Sequence, residues 1–110
     1  MAEPGEVCPF QESLEMLGKR HTLGILWALR QQSPRRFTEL KRATNVNAVT
    51  LTERLQELEE CGIVTRTVYN ELPPRVDYGL TKKGDDLLVL MDALEKWSKK
   101  YPAAQLARAR

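Results

Sequence analysis

Apolar residues recur at helical spacing in some segments of the chain and alternate with polar residues in others. Helical patterns cover residues 11–18, 22–32, 38–44, the segment that ends at Gly62, and 85 to about 101. Alternating Val, Thr and Tyr predict two antiparallel strands over residues 63–70 and 75–80, and residues 35–37 form a very short extended piece after Pro34. Helix, short turn, helix and hairpin therefore follow one another in this chain.

The segment "AVTLTERLQELEECG" carries the clearest helical pattern. Leu51, Leu55 and Leu58 repeat at i, i+4 and i+7, so one face of this helix is expected to pack on a core. Gly62 stands where a helix C-cap is expected.

Two N-terminal caps compete at the start of that helix. One is Asn47, and the other is a capping box in which Thr50 pairs with Glu53. Thr38 is the predicted N-cap of the preceding helix, and Thr81 of the last one.

The tip of the hairpin, "NELPPR", is longer than chain reversal requires. Pro73 and Pro74 fix φ and supply no backbone donors, so the tip is expected to be stiff and to resist pairing with other strands. A stiff tip would carry Arg75 outward. The alternative is a surface pairing of Arg75 with Glu71 or Asp77, which would contribute little energy.

The composition is that of one globular domain. With 110 residues, of which 42% are apolar, the chain can build one modest core. We expect a single domain over residues 1–110, with an ordered core over 8–101 and a frayed tail over 102–110.

The N-terminus carries Glu3 and lacks the apolar segment of a signal peptide, and "LGILWAL" is too short to span a bilayer. The expected location is therefore the cytoplasm, with no membrane partner.

The formal net charge is only +2, but basic residues are concentrated between positions 19 and 54. The sequence contains two cysteines, Cys8 and Cys61, too few for a disulfide framework and too far apart for a CxxC motif. His21 is the sole histidine and is expected to serve packing or the surface. No metal, cofactor or catalytic group is predicted, since nucleophile, base and orienting residue do not occur at a recognisable spacing.

The order of elements and the basic segment are typical of a winged helix domain, whose second helix of the pair enters the DNA major groove. The chain also resembles the HxlR-type transcriptional regulators, relatives of the MarR group, over roughly residues 8–97. The resemblance rests on "CP" at Cys8, on "RRFTEL", and more specifically on "LTERLQELEECGIVTR" and "YNELPPRVDYGLTKKG". It implies a cytoplasmic, homodimeric winged helix regulator of the α+β class. The implied architecture is a two-stranded wing with dimerisation helices at both ends.

Residues that point away from the leucine stripe are the candidates for contacts with duplex DNA. The predicted base-reading positions are Val49, Thr50, Thr52, Glu53 and Gln56. The predicted backbone contacts are Arg35, Arg36, Thr38, Lys41, Arg42 and Arg54. The predicted wing residues are Asn70, Pro73, Pro74 and Arg75. Each of these faces could instead be an ordinary solvated surface. Val49 and Gln56 stand where family members often carry lysine and arginine, so the operator is expected to differ from theirs.

The terminal helices provide the predicted homodimer interface. Its members are Leu14, Leu17, Leu87, Leu90, Met91, Leu94 and Trp97. Cys8 resembles the cysteine that some family members use to sense oxidants, and Lys19 or Arg20 would raise its thiolate fraction if folding brought them together. An unreactive structural thiol is the alternative. We therefore expect a regulator that represses from an inverted-repeat operator, with a protein-interaction module as the rival hypothesis.

Overall fold

The computed structural model describes residues 8–102. The order of elements is α1 (Gln11–Leu17), α2 (Thr22–Gln31), β1 (Arg35–Arg36), α3 (Phe37–Thr44), α4 (Ala48–Glu60), β2 (Val64–Tyr69), β3 (Arg75–Leu80), α5 (Lys82–Asp86) and α6 (Leu88–Lys100). The predicted α+β class is confirmed. The expectations for the residues before Cys8 and for the tail beyond residue 102 lie outside the described residues.

The core lies where α2, α3, α4 and the base of the sheet meet. Its fully buried members are Ile25, Leu26, Leu29, Leu40, Leu51, Leu55, Leu58, Ile63 and Val64. The predicted inward stripe of α4 is therefore confirmed, because all three of its leucines are excluded from solvent. Removing such a side chain from water stabilises the fold by about 1.5–3 kcal/mol.

Local hydrogen bonds define both ends of α4. The Asn47 side chain accepts a hydrogen bond from the Thr50 backbone N–H at 2.9 Å, which decides between the two predicted caps. At the other end Gly62 follows the C-cap with φ of 75°, a conformation that costs glycine little. The Ile63 N–H then reaches back to the Leu58 carbonyl at 2.9 Å, so the chain leaves the helix in a closed turn.

The start of α3 corrects the predicted cap. Thr38 is not the N-cap, because the helix begins at Phe37 and Arg36 occupies the capping position. The Glu39 carboxylate accepts a hydrogen bond from the Arg36 backbone N–H at 2.9 Å. β1 thus passes directly into α3. The Glu39 side chain satisfies the backbone N–H of the N-cap residue Arg36.

The sheet has three antiparallel strands in the order β1-β3-β2. The predicted hairpin is present, with register from Val64↔Leu80 to Tyr69↔Arg75. The predicted extended piece also pairs, since Arg35 lies opposite Tyr78 and Arg36 opposite Asp77. The sheet is therefore one strand larger than the predicted two-stranded wing, because β1 uses the free edge of β3.

The predicted C-terminal helix is two helices, which corrects its boundaries. Thr81 caps α5 as predicted, since its side-chain oxygen accepts from the Gly84 N–H at 3.1 Å. α5 ends at Asp86, Leu87 caps it, and α6 begins at Leu88. Gly84 lies so close to the backbone just before β2 that an added Cβ would stand 2.5 Å from the Ile63 carbonyl oxygen. Only glycine lets α5 pack there.

Across residues 8–102, no helix combines the length and the apolar composition that crossing a membrane requires.

Candidate nucleic-acid interface

The outer face of α4 presents the predicted base-reading side chains to solvent. Val49 is 70% exposed, Thr52, Glu53 and Gln56 are exposed, and Thr50 is partly buried. Burial of the leucine stripe produces this arrangement, because it fixes the rotation of the helix about its axis. The Thr52 hydroxyl donates to the Ala48 carbonyl at 2.7 Å, which leaves its methyl group and oxygen lone pairs available outward.

Cationic side chains are concentrated on β1 and α3, the two elements that precede α4. Arg36, Lys41 and Arg42 are exposed, and Thr38 is exposed in the first turn of α3. Arg35 is partly buried, and its Nε has no hydrogen-bond partner among the described residues. These positions form a positive border along β1 and α3, as expected of groups that neutralise phosphates.

Arg54 differs from the other predicted backbone contacts, because its guanidinium already has partners. Its Nε donates to the Arg20 carbonyl at 3.2 Å and its Nη1 to Glu57 Oε1 at 2.7 Å. Glu57 Oε2 in turn accepts from Lys19 Nζ at 2.6 Å. The Lys19 hydrogen bond, reinforced by Arg54, holds the pKa of Glu57 below its ordinary value of 4.5, although partial burial opposes this shift. Sequence reasoning missed Glu57, which no helical periodicity distinguishes from its neighbours.

The tip of the β2–β3 hairpin is exposed from Asn70 to Pro74, and Leu72 at its end is 98% exposed. Together with the start of α3 it borders an open groove of about 440 Å³, lined by Arg36, Phe37, Thr38 and residues 71–76. The groove joins the wing to the positive border of α3. The predicted wing residues Asn70, Pro73 and Pro74 therefore lie on a surface that faces solvent.

Arg75 does not project from the wing. Its guanidinium lies 4.1 Å from the centre of the Tyr69 ring, its Nε is 3.4 Å from Asp77 Oδ1, and its Nη1 is 3.8 Å from Glu71 Oε1. The side chain is only 29% exposed. The free protein thus adopts the surface pairing that was the alternative for this arginine, and a DNA contact stays a prediction.

A second, apolar surface is formed by the helices at the two ends of the chain together with α2. A groove of about 440 Å³ runs between α1, α2 and α6, lined by Leu14, Leu17, Gly18, Leu23, Leu90, Ala93 and Leu94. Met91 is buried and Leu87 partly buried, whereas Leu90, Leu94 and Trp97 are 41–47% exposed. Leu23 of α2 was not predicted for this surface, because the pattern of α2 is apolar nearly all round and marks no single face.

Arg30 ties this surface to the core. Its guanidinium pairs with Asp92 and, at 3.4 Å, with Glu95, so α6 is held against α2. Arg30 thus has an intramolecular role.

A sequence model of the HxlR-like helix-turn-helix family matches residues 16–106. The chain belongs to this family. It is 38% identical over 98 residues to the HTH-type transcriptional regulator YvaP of Bacillus subtilis, covering 87% of this chain and 90% of YvaP. The HxlR-type resemblance stated from the sequence motifs is therefore confirmed.

Solved structures agree with the HxlR-like assignment. A transcriptional regulator of the MarR family from Porphyromonas gingivalis superimposes with a TM-score of 0.80 at 29% identity, covering 92% of this chain and 99% of that one. The reduced form of the regulator YodB from B. subtilis gives a TM-score of 0.75 at 33% identity, with coverage of 88% and 96%. The predicted winged helix fold and the relation to the MarR group are confirmed, and this HxlR-like chain is a helix-turn-helix transcriptional regulator.

Both cysteines of this HxlR-like chain are free thiols. Cys8 is partly buried immediately before α1, and Cys61 is partly buried against the core at the end of α4. Lys19, which was expected to activate Cys8 if folding brought them together, has its ammonium group on Glu57. Among residues 8–102, no three His, Cys, Asp or Glu side chains are placed to bind a metal ion.

Proposed function

We propose that this HxlR-like protein binds duplex DNA sequence-specifically and represses transcription as a homodimer on an inverted-repeat operator. One observation carries the proposal. The solvent face of α4 presents Val49, Thr52 and Gln56, while α3 carries the positive border and the tip of the wing is exposed. The second helix of a helix-turn-helix pair inserts side chains of its exposed face into a major groove.

The side chains of this face suit different parts of the operator. Gln56 is able to donate to and accept from adenine in the major groove, and Val49 and the Thr52 methyl group suit the thymine methyl. Arg36, Lys41 and Arg42 carry charge without the shape to distinguish bases, so they set affinity and register. Thr50, partly buried, contributes at the edge of the face, and Glu53 accepts from cytosine.

The apolar groove of α1, α2 and α6 supports the homodimer. Leu90, Leu94 and Trp97 expose large apolar side chains on one helix, beside Leu14 of α1. Exposed apolar surface of this extent is typical of a protein–protein interface. A two-fold partner on this surface would place two copies of α4 on successive major grooves, which requires an operator with inverted half-sites.

A thiol switch at Cys8 is the second component of the proposal. Cys8 lies three residues before the start of α1, whose Leu14 and Leu17 belong to the expected dimer surface, so we expect a modification of its sulfur to alter that surface. The solved relative YodB was studied both in reduced form and after treatment with diamide, an oxidant of thiols. Oxidation of Cys8 would thus change the dimer and release the operator.

The decisive experiment is selection of bound sequences from random duplex DNA by the full-length protein, with and without oxidant. We expect an enriched inverted repeat whose affinity falls steeply as salt rises. Absence of duplex binding even at low salt would overturn the proposal and favour a protein-interaction module. The Cys8→Ser variant should bind equally well in both conditions, and an oxidant effect that survives in it would exclude Cys8 as the switch.

A further inference from the structure

A chain of charged groups connects the α1–α2 loop to the middle of α4. Lys19 Nζ lies 2.6 Å from Glu57 Oε2, and Arg54 Nη1 lies 2.7 Å from the other oxygen of the same carboxylate. Arg54 Nε also donates to the Arg20 backbone carbonyl at 3.2 Å. The Glu57 carboxylate thus joins Arg54 of the same helix to Lys19, which is 38 residues from Glu57 in the chain.

The arrangement restricts Arg54 strongly. Two of its three guanidinium nitrogens are committed to partners within the chain, and the side chain is only 18% exposed. A guanidinium held at two points has a defined plane, so its third nitrogen, Nη2, has one direction rather than many. Ordering an arginine before it binds reduces the entropy that is lost on binding.

Lys19 keeps Glu57 in the charged form that this arrangement needs. Its hydrogen bond is the main cause of the lowered pKa of Glu57, with Arg54 contributing further. The carboxylate is therefore ionised throughout the neutral range, and both of its oxygens accept charge-assisted hydrogen bonds.

We propose that Glu57 is a positioning residue for operator binding, which orients Arg54 so that Nη2 contacts a phosphate and which fixes α4 relative to the α1–α2 loop. This inference rests on the proposed DNA-binding function. It assigns a favourable role to a carboxylate that, judged by charge alone, should repel DNA. Because the loop continues from α1, Glu57 also links the recognition helix to the expected dimer side of the molecule.

The test compares Glu57→Gln with Glu60→Gln in the full chain. Both substitutions remove one negative charge from the same helix, and Glu60 is exposed and forms no ion pair within residues 8–102. Charge alone predicts equally tighter binding of both variants to the selected operator. Positioning instead predicts that Glu57→Gln binds roughly three- to tenfold more weakly than Glu60→Gln, both to the operator and to unrelated duplex, since a phosphate contact carries no sequence information. Equal operator affinity of the two variants would overturn the inference.

A second pair of variants locates the effect at Arg54. In an Arg54→Met background, Glu57→Gln should cause no further loss of operator affinity, since the group that Glu57 positions is gone. Persistence of the full loss would also overturn the inference.

Arg54→Lys keeps the positive charge but lacks the planar guanidinium group. It provides a test of positioning if Glu57→Gln does not fold. This variant should bind the operator as weakly as Glu57→Gln, and wild-type affinity in it would contradict positioning. Wild-type protein that selects no duplex at all would instead refute the proposed function itself.

Discussion

α4 and the wing border the same candidate interface, but they present their side chains in different ways. On α4, Val49 and Gln56 stand free in solvent, since the burial of Leu55 and its neighbours turns them outward. On the wing, Arg75 is drawn back onto Tyr69 and Asp77. The helix face is thus ready for contact, whereas the wing must exchange internal partners for external ones. On α4, the buried leucines decide which side chains face solvent. On the wing, neighbouring side chains of the hairpin decide where Arg75 lies.

The largest effect is expected from Leu55→Ala, which removes core packing that holds α4 in place. Leu55 is fully buried, so the substitution leaves a cavity and should lower the free energy of unfolding by about 2–5 kcal/mol. Urea denaturation measures this change. Val49→Ala on the exposed face of the same helix is the control and should alter stability by no more than about 0.5 kcal/mol. Similar losses in both variants would contradict the assigned rotation of α4.

Arg75→Ala tests the wing side of the comparison. If Arg75 leaves its carboxylates for DNA, its loss should weaken operator binding about tenfold, or about 1.4 kcal/mol. Titration of labelled operator measures the affinity, and Lys82→Ala, which removes the same charge from exposed α5, is the control. Wild-type affinity in Arg75→Ala would show that the internal pairing persists in the complex.

Asn47→Ala tests the local definition of α4. Asn47 caps the helix through the Thr50 N–H, so its loss should cost about 1 kcal/mol of stability. Thermal unfolding measures the change. Asn47→Ser is the matched control, because a serine hydroxyl is able to accept the same hydrogen bond. Equal destabilisation by both substitutions would mean that the side-chain cap contributes nothing.

The smallest expected effect is the pH dependence of stability that arises from the ion pairs of Glu57 with Lys19 and Arg54. The pKa of Glu57 is lowered in the folded protein, so its contribution to stability is present above its ordinary value of 4.5 and is lost as the pH falls through the lowered value. Below pH 4.5, wild-type stability should therefore fall more steeply than that of Glu57→Gln. Denaturant titrations at several pH values compare the two proteins. Parallel curves would indicate that the ion pairs with Lys19 and Arg54 are absent in solution.

Several elements were predictable because their signals are local. The leucine stripe and the Thr81 cap act within about one helical turn, and the two strands of the hairpin are adjacent in sequence. Predictions became wrong where distant residues intervened. Thr38 lost its capping role because β1 pairs with β3 and carries the chain into α3 at Phe37. The C-terminal helix divides at Leu87, where α5 packs closely against Ile63.

In the candidate site too, residues marked by local spacing were predictable, and a residue with a distant partner was not. Periodicity alone identifies the outward positions Val49, Thr52 and Gln56, since turning three leucines inward leaves few other rotations of α4. It could not identify Glu57, whose partner Lys19 is 38 residues away.

By itself the sequence determined the order of helices up to α4, the hairpin and the face of α4, because these depend on spacing within a few residues. Only the tertiary structure decided that Arg75 folds onto the wing, that Arg54 is already paired, and that β1 completes the sheet. Those outcomes depend on tertiary contacts between side chains and between strand edges. Charge and hydropathy patterns describe single segments and do not specify these contacts.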